Sequence, residues 1–168
     1  AEGDYKKAYK MYGRAVSKEP NNLAYIDKLR NTLNQIVPVT QDEAVAYYDS
    51  YLTTLVHKSR YAPENIDSHL DVVNELYKAA HLSGNVNYWR RLKESAESAY
   101  DRVDTDNPRR HELLVYVGLA SLRIENASMT EVYDDTGNIR FPGEDEIEMV
   151  LESDPGNEVA WAALAFGR

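Results

Sequence analysis

Four histidines, His57, His69, His81 and His111, are the side chains best suited to hold a metal or move a proton near neutral pH. No two of them stand at a zinc spacing such as HExxH. His69 and His81 are twelve residues apart, more than three helical turns. All four read as ordinary surface or groove residues. Asp104-x-Asp106 begins like a calcium loop, but Pro108 and Arg109 stand where further oxygen ligands and a Gly are required. Asp134-Asp135-Thr136-Gly137-Asn138 is turn chemistry. Neither GxxxxGK[ST] nor GxGxxG occurs, so a phosphate cradle has no support, and the GxSxG elbow is absent. There is no Cys, which removes disulfides, thiolate metal sites and thiol nucleophiles. Acidic pairs are numerous, but on helices they read as solvated faces and nothing marks one as catalytic. Asn126-Ala127-Ser128 matches a glycosylation sequon, a triplet common by chance. The reading is of a chain without catalytic, cofactor-binding or metal residues, and so not an enzyme by itself.

The other chemistry-bearing type is Tyr, present thirteen times. Tyr5, Tyr9 and Tyr12 crowd one segment, and Tyr47, Tyr48 and Tyr51 another. Rings between helices with hydroxyls at the water boundary are one reading. An aromatic-lined peptide groove is the other, since Tyr is favoured at binding hot spots.

Periodicity and punctuation predict eight helices to position these groups. They run over about 4–18, 23–36, 40–60, 63–83, 86–103, 108–126, 144–153 and from 158 onward. Thr40 with Glu43 forms a capping box. Pro63 and Pro108 are placed at first helical positions, where the missing N–H costs nothing. Ser83-Gly84 signals a C-cap. Between residues 130 and 141 the helical pattern stops. Val132, Tyr133, Ile139 and Phe141 flank the turn signal, which predicts a short hairpin or ordered loop.

The punctuation also carries a resemblance. Ala8-x3-Tyr12, Ala15, Pro20 and Asn21-Asn22 resemble the second half of a tetratricopeptide repeat, with small residues and a ring on one helical face. Asp154-Pro155-Gly156-Asn157 with Trp161-x2-Leu164-Ala165 resembles the junction of two such repeats. Leu114-x2-Val117-Gly118 fits the same slot. Ile26-x2-Leu29 and Val73-x2-Leu76 fit it less well, because Arg30 and Tyr77 replace the small residue that follows. The matched positions Leu29, Leu76, Val117 and Leu164 are 47, 41 and 47 apart. The family repeats at about 34, and HEAT or armadillo repeats at about 40–47. The front motif favours the tetratricopeptide reading.

The resemblance implies an all-α, right-handed superhelical α-solenoid of antiparallel helix pairs, one repeat domain over 1–168. Its parts are a half repeat at 1–22, enlarged pairs at 23–62, 63–107 and 108–156, and the start of a further repeat at 157–168. The chain opens without Met in mid-repeat, so a fragment of a longer array is expected. The first helices of the pairs line the concave face in this family. By position they offer Asp27, Lys28, Asn31 and Asn34, then Asp71, Asn74, Glu75, Lys78 and His81, then Glu112, Val115, Tyr116 and Leu119. Lys28, Asn31, Asn74, Lys78 and Tyr116 are the foremost candidates for binding a protein or peptide. Mixed charge among these positions argues against an acidic-tail clamp.

With 43 % apolar residues the chain can bury a core, so global disorder is not expected. A mean hydropathy of −0.60 and the lack of a long apolar run argue against membrane insertion. The net charge of −9 is uneven: +2 over 1–60, −3 over 61–126 and −8 over 127–168. Such a field repels nucleic acid. Compartment is not specified, with a lean to the cytoplasm. The function read here is a non-catalytic interaction scaffold. A regulatory or recruiting arm of a larger enzyme is the alternative. A third is self-association through Tyr5, Ala8, Tyr9 and Tyr12 on an end helix that lacks a partner.

Overall fold

The structure is a computed structural model and describes residues 2–126, 132–133, 139–140 and 142–167. Among these the chain is all-helical apart from one two-stranded ribbon, with eight helices. It divides into two compact units, Ala1–Ser68 and His69–Arg168.

The first unit holds α1 (Glu2–Lys18), α2 (Leu23–Leu33) and α3 (Gln41–Tyr61). α2 packs on both α1 and α3. Val16, Ile26, Leu29, Leu33 and Ile36 make its core, with Tyr9, Tyr12, Tyr47 and Tyr51 packed around them. The Asn22 side chain caps α2 by accepting from Tyr25 N at 3.3 Å. α2 ends at Leu33, short of the expected residue 36. Gln35 and Ile36 instead donate to the carbonyls of Thr32 and Leu33, three residues back, tightening the last turn before Pro38. At α3 the Thr40 Oγ1 accepts from Glu43 N at 3.2 Å. The Glu43 carboxylate reaches back to Val39 N at 2.9 Å and also takes the Lys6 ammonium at 3.1 Å. The capping box therefore also ties α1 to α3.

The second unit contains the body of α4 (Ile66–Ser83), then α5 (Val86–Arg102) and α6 (Glu112–Asn126). β1 (Val132–Tyr133) and β2 (Ile139–Arg140) follow, then α7 (Glu144–Ser153) and α8 (Glu158–Gly167). α5 packs on α6, α6 on α7, and α8 on both α6 and α7. Leu114, Val115, Leu122, Ile147, Val150 and Leu164 form the core of this end, together with Ala160 and Ala163. The ribbon is antiparallel, with Val132 opposite Arg140 and Tyr133 opposite Ile139. The turn expected at 135–138, and Phe141, lie outside the described residues.

Neither proline opens its helix. α4 starts at Ile66, where Asn65 Oδ1 accepts from Asp67 N and Ser68 N. α6 starts at Glu112, after a tight turn in which Arg110, Glu112 and Leu113 each donate three residues back. The Asn65 cap and this tight turn outweigh the N1 preference of Pro63 and Pro108. Gly84 ends α4 in the left-handed region at φ 63°, as the C-cap signal requires. Arg110 fastens the α5–α6 connection: its guanidinium lies 3.7 Å from the centre of the Tyr100 ring, and its Nε donates to Tyr100 O at 2.8 Å.

Candidate functional site

In the second unit α4 and α6 bring Asn74, Lys78 and Tyr116 together. Asn74 and Lys78 are exposed, and Tyr116 is half-buried. The Tyr116 hydroxyl donates to Asn74 Oδ1. Its phenol is held above its ordinary pKa, first by burial, then by the Glu112 carboxylate and Tyr77, with Lys78 opposing. Lys78 pairs with Glu75 at 2.7 Å, and Glu112 with Arg109 at 2.7 Å.

Under this patch lies an aromatic cluster centred on Tyr77. Its ring stacks on His81 at 6.0 Å and meets Trp89 and Tyr116 edge-on at 5.9 and 6.0 Å. Tyr77 replaces the small residue of the repeat pattern. The space between helices is filled here by rings rather than by close backbone approach. Val115 is a correction to the concave list: it is 3 % exposed and belongs to the core.

In the first unit Lys28 and Asn31 are exposed on α2. The Lys28 ammonium stands 5.9 Å from the centre of the Tyr12 ring. Asp27 pairs with Lys58 of α3 at 3.0 Å. Arg30, the other misfit in the repeat pattern, lies 3.9 Å from Asp27.

The same unit contains a cavity of about 310 Å³ between α1 and α3, at the lower end of ligand-site volumes. Val16, Ile26 and Leu29 form its apolar side. Ile26 and Leu29 project from the face of α2 opposite Lys28 and Asn31, so the cavity is on the other side of that helix. Gly13, Asp49, Thr53 and His57 line it as well. Sequence reasoning missed Gly13, Asp49 and Thr53. Gly13 within a helical pattern was the available signal, because a helix-interior Gly asks for a packing or functional reason.

Tyr9 and Tyr12 are half-buried and pack within their own unit. Tyr9 meets Tyr47 edge-on at 5.5 Å and hydrogen-bonds Ser50 at 3.1 Å, and Tyr12 packs on the core. Tyr5 stays exposed and Ala8 half-buried. His69 is buried rather than at a surface or groove, whereas His57 at the cavity and the half-buried His111 against Tyr100 keep that reading.

Among the described residues no three His, Asp or Glu side chains are placed to hold a metal ion. No helix among them is long and apolar enough to cross a membrane. No protein-family model matches the chain, and no curated protein matches it either.

Proposed function

We propose that this chain is a non-catalytic interaction scaffold, a tetratricopeptide-like α-solenoid that binds a peptide or protein segment on its concave face. The observation that carries this reading is the packing order. Within each unit, helices pack chiefly on their neighbours in the chain, α1 on α2 on α3 and α5 on α6 on α7 on α8. That nearest-neighbour order is the construction principle of helical repeats, whose preformed helices lose little entropy on binding. The patch of Asn74, Lys78 and Tyr116 supplies exposed donors and acceptors above a rigid aromatic base. Lys28 and Asn31 supply the corresponding groups on α2. Glu75 pairs with Lys78, Glu112 with Arg109 and Asp27 with Lys58, so carboxylates stand among the candidate residues and a segment of mixed charge fits better than an acidic tail.

Affinity capture from native lysate tests the reading. The control bait carries Lys28→Ala, Asn74→Ala, Lys78→Ala and Tyr116→Ala, with its helical content checked by circular dichroism. Proteins held by the natural chain and lost by the folded control are the expected outcome. Identical captures by both baits would overturn the assignment.

A further inference from the structure

We propose that the cavity between α1 and α3 is a second binding site, which takes the side chain of an Arg or Lys from a peptide. This rests on the scaffold reading for its class of partner, but it uses a different surface.

Gly13 lies within α1, and a Cβ built there would meet nothing within 4 Å. A helix-interior Gly is a weak helix former, and here its small size serves no close packing. It leaves open a volume whose apolar side, Val16, Ile26 and Leu29, suits a methylene stem.

Hydrogen bonding then selects the group at the end of that stem. Ser17, Ser50, Thr53 and Thr54 all line the cavity. Each donates its one hydroxyl proton to a helix carbonyl, to Gly13 O, Ala46 O, Asp49 O and Ser50 O respectively, at 2.8–2.9 Å. Since Ser50 has given its proton to Ala46, the Tyr9 hydroxyl donates to Ser50 at 3.1 Å. A hydroxyl has one proton and two lone pairs, so an occupant that reaches these oxygens meets acceptors. Asp49 adds an exposed carboxylate, and the lining includes no Lys or Arg. His57 also lines the cavity and is the one further side-chain donor in that lining. With an apolar wall, hydroxyl protons already committed and one carboxylate, the rest of the site complements a guanidinium or ammonium on an aliphatic chain.

The test is an amide-resolved titration of the isotope-labelled full chain. The probes are acetylated, amidated alanine pentapeptides with Arg, Lys, citrulline or norleucine at the centre. The Arg and Lys peptides should shift the Gly13, Ser17 and Thr53 signals saturably. The citrulline and norleucine peptides should bind about 1.5- to fivefold more weakly, the range for an ion pair with an exposed carboxylate. Gly13→Leu, which fills the space, should abolish the shifts while melting no lower than the natural chain. Asp49→Asn, on an exposed position, should reduce the Arg peptide to the level of citrulline and decides the matter if Gly13→Leu misfolds. Absence of saturation with Arg and Lys, equal binding by norleucine, or undiminished binding to folded Gly13→Leu would each overturn the proposal. If the lysate partners are lost with the α2/α4/α6 variant but the peptides do not bind, the scaffold reading stands and the cavity assignment falls. If the peptides bind as described while both baits capture the same proteins, the reverse holds.

Discussion

Gly118 and Gly143 meet backbone to backbone where α6 crosses the start of α7. A Cβ on Gly118 would lie 2.5 Å from Ile147 Cγ1 and 2.8 Å from the Gly143 carbonyl oxygen. A Cβ on Gly143 would run into the Gly118 backbone, and Gly143 holds φ at 84°. Neither neighbour is the free end of a flexible chain, so a methyl group has nowhere to go. Gly118→Ala should therefore cost about 1–3 kcal/mol by overpacking. Gly143→Ala should cost more, because the left-handed backbone adds about 1–2 kcal/mol. Gly84→Ala is the control. It also has positive φ but nothing within 4 Å, so only the backbone cost applies. Urea unfolding followed by circular dichroism ranks the three. A Gly118→Ala chain as stable as the natural one would contradict the close approach.

Glu43 links acid stability to the α1–α3 tie. The Val39 N–H holds its carboxyl below the usual range, with the Lys6 ammonium adding to the effect. A lowered folded pKa means that the ionised form is favoured by folding. Its contribution is present above the unfolded carboxylate pKa of about 4.3 and is lost as pH falls through the folded value. Glu43→Gln should therefore lower the melting temperature at pH 7, and the difference from the natural chain should close as the solution is acidified through the carboxylate range. Parallel melting curves across that range, with a constant gap, would count against it.

Tyr116 and Asn74 give a reading at the other end of the pH scale. Burial raises the Tyr116 phenol, so the folded state favours the neutral form. That contribution is complete below the unfolded value of about 10 and is lost as pH rises through the folded one. Tyrosinate absorbance should show a component that titrates above the ordinary phenol value, and Tyr116→Phe should remove that component. The same variant keeps the contact with Tyr77 but loses the hydrogen bond. Asn74 is exposed and can turn to water, so the stability cost should be about 0.5–1.5 kcal/mol. Persistence of the late component in Tyr116→Phe would assign it to another tyrosine.

Local signals in the chain carried the helices further than the site. Thr40, Gly84 and Asn157 act within a few residues of themselves: Thr40 caps α3, Gly84 ends α4, and Asn157 Oδ1 accepts Ala160 N at 3.0 Å to start α8. Gly118 stood in the small-residue slot of the repeat pattern, and its role is the close approach just described. Pro63 and Pro108 misled because the turns before α4 and α6 are set by Asn65 and Asn107, whose side chains accept from the backbone two residues on. Val115 was misread for another reason. Which helix covers a given face is a tertiary fact, and periodicity gives only the face. The cavity was illegible for the same reason, since it needs Gly13 on α1 and Thr53 on α3 to come to one place.

Gly13 allows stability and binding to be separated. It lies inside α1, its φ is not in the left-handed region, and an added Cβ meets nothing within 4 Å. Gly13→Ala should thus stabilise the chain by about 0.5–1 kcal/mol through helix propensity alone, with no offsetting clash. Thermal unfolding would show this as a raised midpoint. A lowered midpoint would mean that the α1–α3 gap closes in solution and that the added methyl has no room. The size series then carries the functional argument. Ala and Leu at position 13 both remove the helix penalty of Gly, but Leu also occupies the cavity. If Ala and Leu both stabilise and only Leu abolishes binding of the Arg peptide, the space beside Gly13 serves the ligand rather than the fold.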